Sequence, residues 1–299
     1  MVILKLGNIT VNHAKKLRTL LQSNKTILTP GIYDGFTGLM VENSGFECAY
    51  VSGASISYSQ LGRSDVGLTT LTEVSNTISR IRERINIPFV VDADTGFGNA
   101  LNVQRTVKVL ENAGASGIQL EDQTMPKRCG HLDGKKLISK NEMVGKIKAA
   151  KDTLRNKDTL IIGRTDAIAA NGFDEAMIRA DAYLEAGVDI LFIEAPESLE
   201  QMKIIGSNFS SRVSLLANMV EGGRTPQSSA SELTAMGFNF IIFPGAMIRT
   251  FAFAAKIYLE NLKKEGSTHK VRDKMFNFDE LNDLLGTQDL LDNVKKYDL

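Results

Sequence analysis

Short apolar, β-branched runs alternate along this chain with longer stretches whose apolar positions recur every three to four residues. The short runs fall at residues 26–29, 48–52, 89–92, 117–121, 159–163, 190–194, 214–218 and 240–244. Runs of four or five apolar residues suit strands buried on both faces. The longer stretches include residues 71–84, 101–113, 142–154 and 174–186, and their spacing predicts amphipathic helices. Three junctions repeat one phrase: Asn112-Ala113-Gly114-Ala115, Glu185-Ala186-Gly187-Val188 and Ala235-Met236-Gly237-Phe238. Each sets a glycine where a helix should end, just before a strand, because glycine takes the left-handed cap at little cost. Asn43-Ser44-Gly45-Phe46 is a looser fourth case.

Eight strands with intervening helices predict an α/β protein, a (β/α)8 TIM barrel, as a single domain over residues 1–299. A two-domain dinucleotide-binding fold has less support. No linker divides the chain, and Gly96-Phe97-Gly98 has no third glycine at the fingerprint spacing. Residues 248–264 read as the last barrel helix, and residues 276–296 add a helical extension rich in Leu and Phe.

Composition narrows the function classes. The 299 residues are 43% hydrophobic, enough for a sizeable core. Lys+Arg and Asp+Glu both number 35, so no net charge draws the protein to nucleic acid or an anionic membrane. No apolar run approaches the roughly 20 residues of a membrane helix. Residues 1–10 lack the basic and apolar regions of a signal peptide. Cys48 lies in an apolar run and Cys129 in a polar one; as unpaired thiols they suit a reducing cytoplasm.

The chemistry gathers at strand ends. The third strand runs into Asp92-Ala93-Asp94, the fourth into Glu121-Asp122 and the fifth into Arg164-Thr165-Asp166. The sixth ends at Glu194 and the seventh at Asn218. In a barrel these ends share one mouth, where active sites are built. Asp122 and Asp166, taken singly, read as helix N-caps. Asp92, Asp94 and Glu121 would crowd like charges, a situation that a shared divalent cation relieves. An all-oxygen set suits Mg²⁺ or Mn²⁺, whereas a carboxylate–Arg164 ion-pair network is the plainer alternative. Asp92 and Asp94, two apart, would face one side of an ideal strand.

About twenty residues then separate strand four from its helix, a length typical of lids. Within them lies Lys127-Arg128-Cys129-Gly130-His131-Leu132-Asp133-Gly134-Lys135. Positive neighbours should favour the Cys129 thiolate, and Gly130 and Gly134 let the loop bend. His13 and His269 read as solvated surface residues.

Taken together, Val91-Asp92-Ala93-Asp94-Thr95-Gly96-Phe97-Gly98-Asn99, Glu121-Asp122-Gln123 and Lys127-Arg128-Cys129-Gly130-His131 resemble the isocitrate lyase/phosphoenolpyruvate mutase superfamily. Tyr50-Val51-Ser52-Gly53-Ala54, Gly163-Arg164-Thr165-Asp166-Ala167, Ile193-Glu194-Ala195 and Leu216-Ala217-Asn218 continue the likeness over residues 27–266. The resemblance implies Mg²⁺ (with Mn²⁺ as substitute) at Asp94, with Asp92 and Glu121 contributing and Asp65 beside them. It implies substrate contacts at Ser52, Gly53, Ala54, Gly130, Arg164, Asn218 and Arg249. It also implies a homotetramer in which the eighth helix is swapped between subunits, so that residues 248–299 face a partner.

The implied activity is Mg-dependent cleavage of a C–C bond in a 2-hydroxy (alkyl-substituted) dicarboxylate, giving pyruvate or glyoxylate plus a carboxylate. Tyr50 or a carboxylate of the metal site would be the base, and Arg164 would stabilise developing charge. Cys129 would protonate the enolate with help from His131 and Glu194. Cys-Gly-His resembles the lyase branch rather than the carboxyphosphonoenolpyruvate or phosphoenolpyruvate phosphonomutases, which are the alternative together with an oxaloacetate C–C hydrolase. Leu132 and Phe278 stand where 2-methylisocitrate lyases carry arginines, which argues against a third substrate carboxylate. Asn218-Met219-Val220-Glu221-Gly222-Gly223-Arg224-Thr225-Pro226 is similar to the broad-specificity group that includes 2,3-dimethylmalate lyase and the petal death protein.

Overall fold

The computed structural model describes residues 12–23 and 25–297; the expectation for residues 1–10 lies outside them. Eight strands, β1 (Ile27–Ile32), β2 (Ala49–Val51), β3 (Phe89–Asp92), β4 (Gly117–Glu121), β5 (Leu160–Thr165), β6 (Ile190–Ile193), β7 (Ser214–Asn218) and β8 (Phe240–Phe243), form a closed barrel. Each pairs in parallel with the next, and β8 returns to β1 with Ile27 opposite Phe240. This is the expected (β/α)8 barrel.

Thirteen α-helices thread the described residues. They are α1 (His13–Gln22), α2 (Gly35–Asn43), α3 (Gly53–Ile56), α4 (Leu71–Arg84), α5 (Ala100–Asn112), α6 (Lys140–Thr153) and α7 (Ala167–Asn171). Then come α8 (Phe173–Glu185), α9 (Leu199–Phe209), α10 (Ala230–Ala235), α11 (Ala246–Glu265), α12 (Phe278–Leu285) and α13 (Thr287–Val294). Their starts are chemically marked. Thr70 and Glu73 close a capping box on α4, as do Ser229 and Glu232 on α10, each cap contributing about 1 kcal/mol. Gly114, Gly187 and Gly237 take the expected left-handed conformation after α5, α8 and α10.

One boundary departs from expectation. Strand β1 continues through Pro30 and Gly31 to Ile32, beyond the expected end at residue 29. A Cβ on Gly31 would stand 2.2 Å from the Pro244 carbonyl oxygen, so glycine here serves close approach to the chain leaving β8.

Two apolar layers hold the barrel. Inside it, Tyr50, Val90, Ile162, Phe192 and Phe240 pack with Leu17 of α1, which closes the end opposite the site. Outside it, strand residues such as Val91 and Ile161 meet Val107, Ile147, Tyr183 and Ile205 of the helices. Burying each such side chain contributes about 1.5–3 kcal/mol.

The chain divides between Ile248 and Arg249 into two compact units. The second contains most of α11, then α12 and α13; Asn277 and Glu280 form a capping box on α12, and left-handed Gly286 separates it from α13. Among the described residues, no helix is long and apolar enough to cross a membrane.

Candidate active site

Strands β3 to β7 deliver Asp92, Glu121, Arg164, Glu194 and Asn218 to one end of the barrel, all of them buried. Asp92 is the last residue of β3, and its Oδ1 accepts from the backbone N–H of Asp94 at 3.2 Å. Asp94 lies beyond the strand with φ of 48°, a left-handed conformation that side chains rarely adopt. The pleat of a strand therefore does not bring the two carboxylates together, as the two-residue spacing suggested; a strained turn does. Gly53, at the start of α3, lies against both: a Cβ there would stand 3.4 Å from Asp92 Oδ2 and 3.5 Å from Asp94 Oδ1. Ser52 caps α3 by accepting from Ser55 N, and Ala54 follows, half-buried.

Arg164 is the pivot of the opposite wall. Its Nε and Nη2 donate to Asp166 Oδ2 and Oδ1, both at 2.9 Å, a bidentate fork. The same guanidinium approaches Glu121 Oε2 at 3.3 Å and Glu194 Oε2 at 3.6 Å. Asn218 Nδ2 donates to Glu194 Oε2 at 3.1 Å.

The lid closes over this array. Its base is a short ribbon pairing Gln123 with Leu137. A Cβ on Gly130 would stand 2.6 Å from Arg164 Nη2 and 2.7 Å from Glu194 Cγ, so the lid backbone lies directly on the two side chains. The Cys129 N–H donates to the Asp65 carbonyl at 3.0 Å, and His131 Nε2 faces Glu194 Oε1 at 3.5 Å. Cys129, Gly130, His131, Arg164, Glu194 and Asn218 thus form one contiguous cluster.

Several sequence expectations need correction. Burial pushes the Cys129 thiol up rather than down. The cations that were to lower it are engaged elsewhere: Lys127 with Asp65 and Asp94, Arg128 with the Asp133 carbonyl. Cys129 is held as a thiol. His13 is half-buried rather than solvated; burial, then Arg82 and Lys16, lower it to about 4. Asp166 sits at the start of α7 but makes no side-chain cap, being committed to Arg164. Asp122 is no cap either. Its carboxylate accepts from Tyr183 Oη (2.6 Å), Thr165 Oγ1 (2.7 Å), the Asp166 N–H (2.9 Å) and Arg179 Nη1 (3.0 Å).

Tyr50 lies one layer beneath the mouth. Its hydroxyl donates to Gln119 Oε1 at 3.0 Å, and Gln119 Nε2 donates to Asp92 Oδ1 at 3.1 Å. Burial, then Asp92, raise Tyr50 well above the ordinary phenol range. Arg249 belongs to the second unit.

Sequence reading missed Gln119 and the importance of Lys127. Gln119 is a fully buried amide within an otherwise apolar strand, and that interruption was the available signal. Lys127 Nζ stands 2.6 Å from Asp94 Oδ1 and 2.7 Å from Asp65 Oδ1, itself buried. Among the described residues, no three Asp, Glu, His or Cys side chains form a ready-made metal cage. The donors nevertheless fit a hard cation. Glu121 Oε1 is buried without a partner, while Glu121 Oε2 and Asp94 Oδ1 face only the Arg164 and Lys127 cations. Burial, followed in order by neighbouring charges that include Asp92 and Asp65, raises Asp94 to about 7. Glu121 is raised in the same direction, first by burial. The buried carboxylates Asp65, Asp92, Asp94, Glu121, Asp166 and Glu194 outnumber the cations Lys127 and Arg164, an imbalance that a divalent cation with oxygen ligands relieves.

Comparison with known proteins agrees with this architecture. Residues 17–263 match the family model described as phosphoenolpyruvate phosphomutase. The chain is 47% identical over 287 residues to 2,3-dimethylmalate lyase of Eubacterium barkeri, covering 96% of this chain and 99% of that protein. It is 44% identical over 275 residues to 2-methylisocitrate lyase of Aeropyrum pernix, covering 91% and 87%. A crystal structure of 2,3-dimethylmalate lyase, described as a PEP mutase/isocitrate lyase superfamily member, superposes with a TM-score of 0.89 at 32% identity, covering 95% of each chain. Barrel, site and relatives agree that the chain belongs to the phosphoenolpyruvate mutase/isocitrate lyase superfamily.

Proposed function

We propose that the protein is a divalent-metal-dependent carbon–carbon lyase acting on a 2-hydroxy dicarboxylate with alkyl substituents, of the 2,3-dimethylmalate or 2-methylisocitrate type. The observation that carries this reading is the seating of Cys129-Gly130-His131 on Arg164 and Glu194. It sets a buried, protonated thiol over the Arg164–Glu194 pair.

Asp94, with Asp92 and Glu121, would hold the ion, and Mg²⁺ is the best match to these ligands. Bound there, such an ion supplies Lewis-acid polarisation of substrate oxygens. A carboxylate of that group takes the hydroxyl proton; Tyr50, kept neutral and donating to Gln119, is poorly suited to do so. The hydroxyl oxygen becomes the carbonyl of the 2-oxo acid as the C–C bond breaks. The bonding pair moves to the second fragment as an enolate of its carboxylate, and Cys129 delivers a proton to that carbon. Arg164 stabilises the negative charge that develops. Asn218 Oδ1 and His131 Nε2, buried without hydrogen-bond partners, are available to substrate oxygens and hydroxyls. Ser52, Gly53 and Ala54 would contribute main-chain contacts beside the metal ligands. Lid closure keeps water from the enolate.

Exposed Phe253, Phe278, Leu290 and Tyr297 support a partner-facing tail and a helix-swapped tetramer, which light scattering would weigh. The unpaired Cys48 and Cys129 fit a reducing cytoplasm. The activity test is a panel of C4 to C7 hydroxy and oxo dicarboxylates with Mg²⁺, read by 2-oxo acid release, with phosphonopyruvate followed by phosphorus NMR in parallel. Release from a branched 2-hydroxy diacid is expected. Turnover of the phosphonate alone would replace the lyase with a mutase.

A further inference from the structure

The lid is gripped from two sides. On one, Asp65 takes Lys127 through its carboxylate and Cys129 through its carbonyl. On the other stands the loop after β7, whose residues the reaction does not use. There the Gly223 N–H donates to the Val220 carbonyl at 2.9 Å, and Gln227 Nε2 donates to the same oxygen at 2.8 Å. This braced turn presses against His131. A Cβ on Gly223 would stand 2.9 Å from His131 Cε1 and 3.0 Å from Nδ1. The Arg224 N–H donates to His131 Nδ1 at 3.3 Å, and its guanidinium pairs with Asp133 of the lid and approaches Glu197 Oε1 at 3.9 Å.

A backbone N–H can only donate, so Nδ1 must accept and the imidazole proton resides on Nε2, the nitrogen that faces Glu194. We infer that the Gly223–Arg224 turn is a positioning element for the lid: it selects the Nε2–H tautomer of His131 and, through the Arg224–Asp133 ion pair, slows lid opening. Neither residue touches the reacting atoms. The inference deepens the lyase reading, resting on it only for the chemical use of His131.

The test needs no substrate. Cys48 is fully buried, so alkylation by iodoacetamide reports the half-buried Cys129, whose reaction speeds up as the lid opens. Asp133 is highly exposed, so Asp133→Ala leaves the fold intact. Arg224→Ala and Asp133→Ala should each speed alkylation about two- to fivefold, the range of an exposed ion pair. The double variant should be no faster than the faster single one. Opposite effects of the two changes would mean simple electrostatic tuning of the thiol, and unchanged rates would mean no latch; either overturns the ion-pair half. Nitrogen NMR of the three histidines, with His131 assigned through His131→Gln, reads the tautomer directly. The wild type should show a bare Nδ1 and a protonated Nε2, and Gly223→Ala should abolish that single form. A protonated Nδ1 in the wild type, or an unchanged spectrum in Gly223→Ala, overturns the other half. Because activity is not the readout, failure here leaves the lyase assignment standing, and absence of lyase turnover would leave the latch measurable.

Discussion

Gly130 and Arg164 approach so closely that a methyl group on the glycine would stand 2.6 Å from the guanidinium Nη2. The lid and the barrel wall meet there with no room for a side chain. Gly130→Ala should therefore keep the lid from seating and lower kcat/KM by ~10²-fold, the scale of a misplacement near 1 Å. Steady-state 2-oxo acid release beside a thermal melt checks this. Full activity with an unchanged melting temperature would contradict this seating of the lid.

Cys129→Ser should lower kcat by at least ~10²-fold with KM nearly held, as expected for loss of a general acid. The wild-type pH profile carries the sign. An acid must keep its proton, and burial raises this thiol, so kcat should stay level through the ordinary thiol range and fall only above it. A fall beginning below pH 8 would assign the limb to another group.

Gln119 holds Asp92 from beneath through a single hydrogen bond. Gln119→Leu frees that carboxylate and leaves the Tyr50 hydroxyl without its acceptor. Loss of such an outer partner weakens metal binding by about 10–100-fold. Electron paramagnetic resonance titration with Mn²⁺ measures it without turnover, and an unaltered Kd would remove Asp92 from the ligand set.

His13 gives a stability signature far from the site. Its folded value of about 4 lies below its ordinary 6.5. Its contribution is therefore complete above pH 6.5 and is lost as pH falls from there through about 4. Chemical denaturation across that window should show declining stability, with a shallower decline in His13→Gln. A proton NMR titration of His13 with a midpoint near 6.5 would refute the assignment.

Local pattern was enough for the barrel. Gly114, Gly187 and Gly237 announce helix ends, and Phe89–Asp92 or Ser214–Asn218 read as strands because eight parallel strands are buried on both faces. The site was legible as a set of strand ends, since topology alone brings Glu121, Arg164 and Asn218 to one mouth. What could not be read was set by partners distant in sequence. The Cys129 thiol looked activated because Lys127 and Arg128 flank it, but Asp65, some sixty residues earlier, draws Lys127 away. Asp122 looked like a cap until Arg179 and Tyr183, on a helix beyond the next strand, converged on it. Asp94 looked pleated beside Asp92, yet a positive φ makes the encounter.

Tyr50, Ile162 and Phe192 fill the barrel beneath the mouth, so packed side chains floor the candidate site. In the proposed reaction one molecule enters and two must leave by the same door, so their departure is ordered. The fragment that Asp92, Asp94 and Glu121 would hold is expected to go second. It should then compete with intact substrate for the free enzyme, while the outer fragment gives mixed inhibition. A packed floor thereby turns a simple cleavage into a sequence with a defined last step.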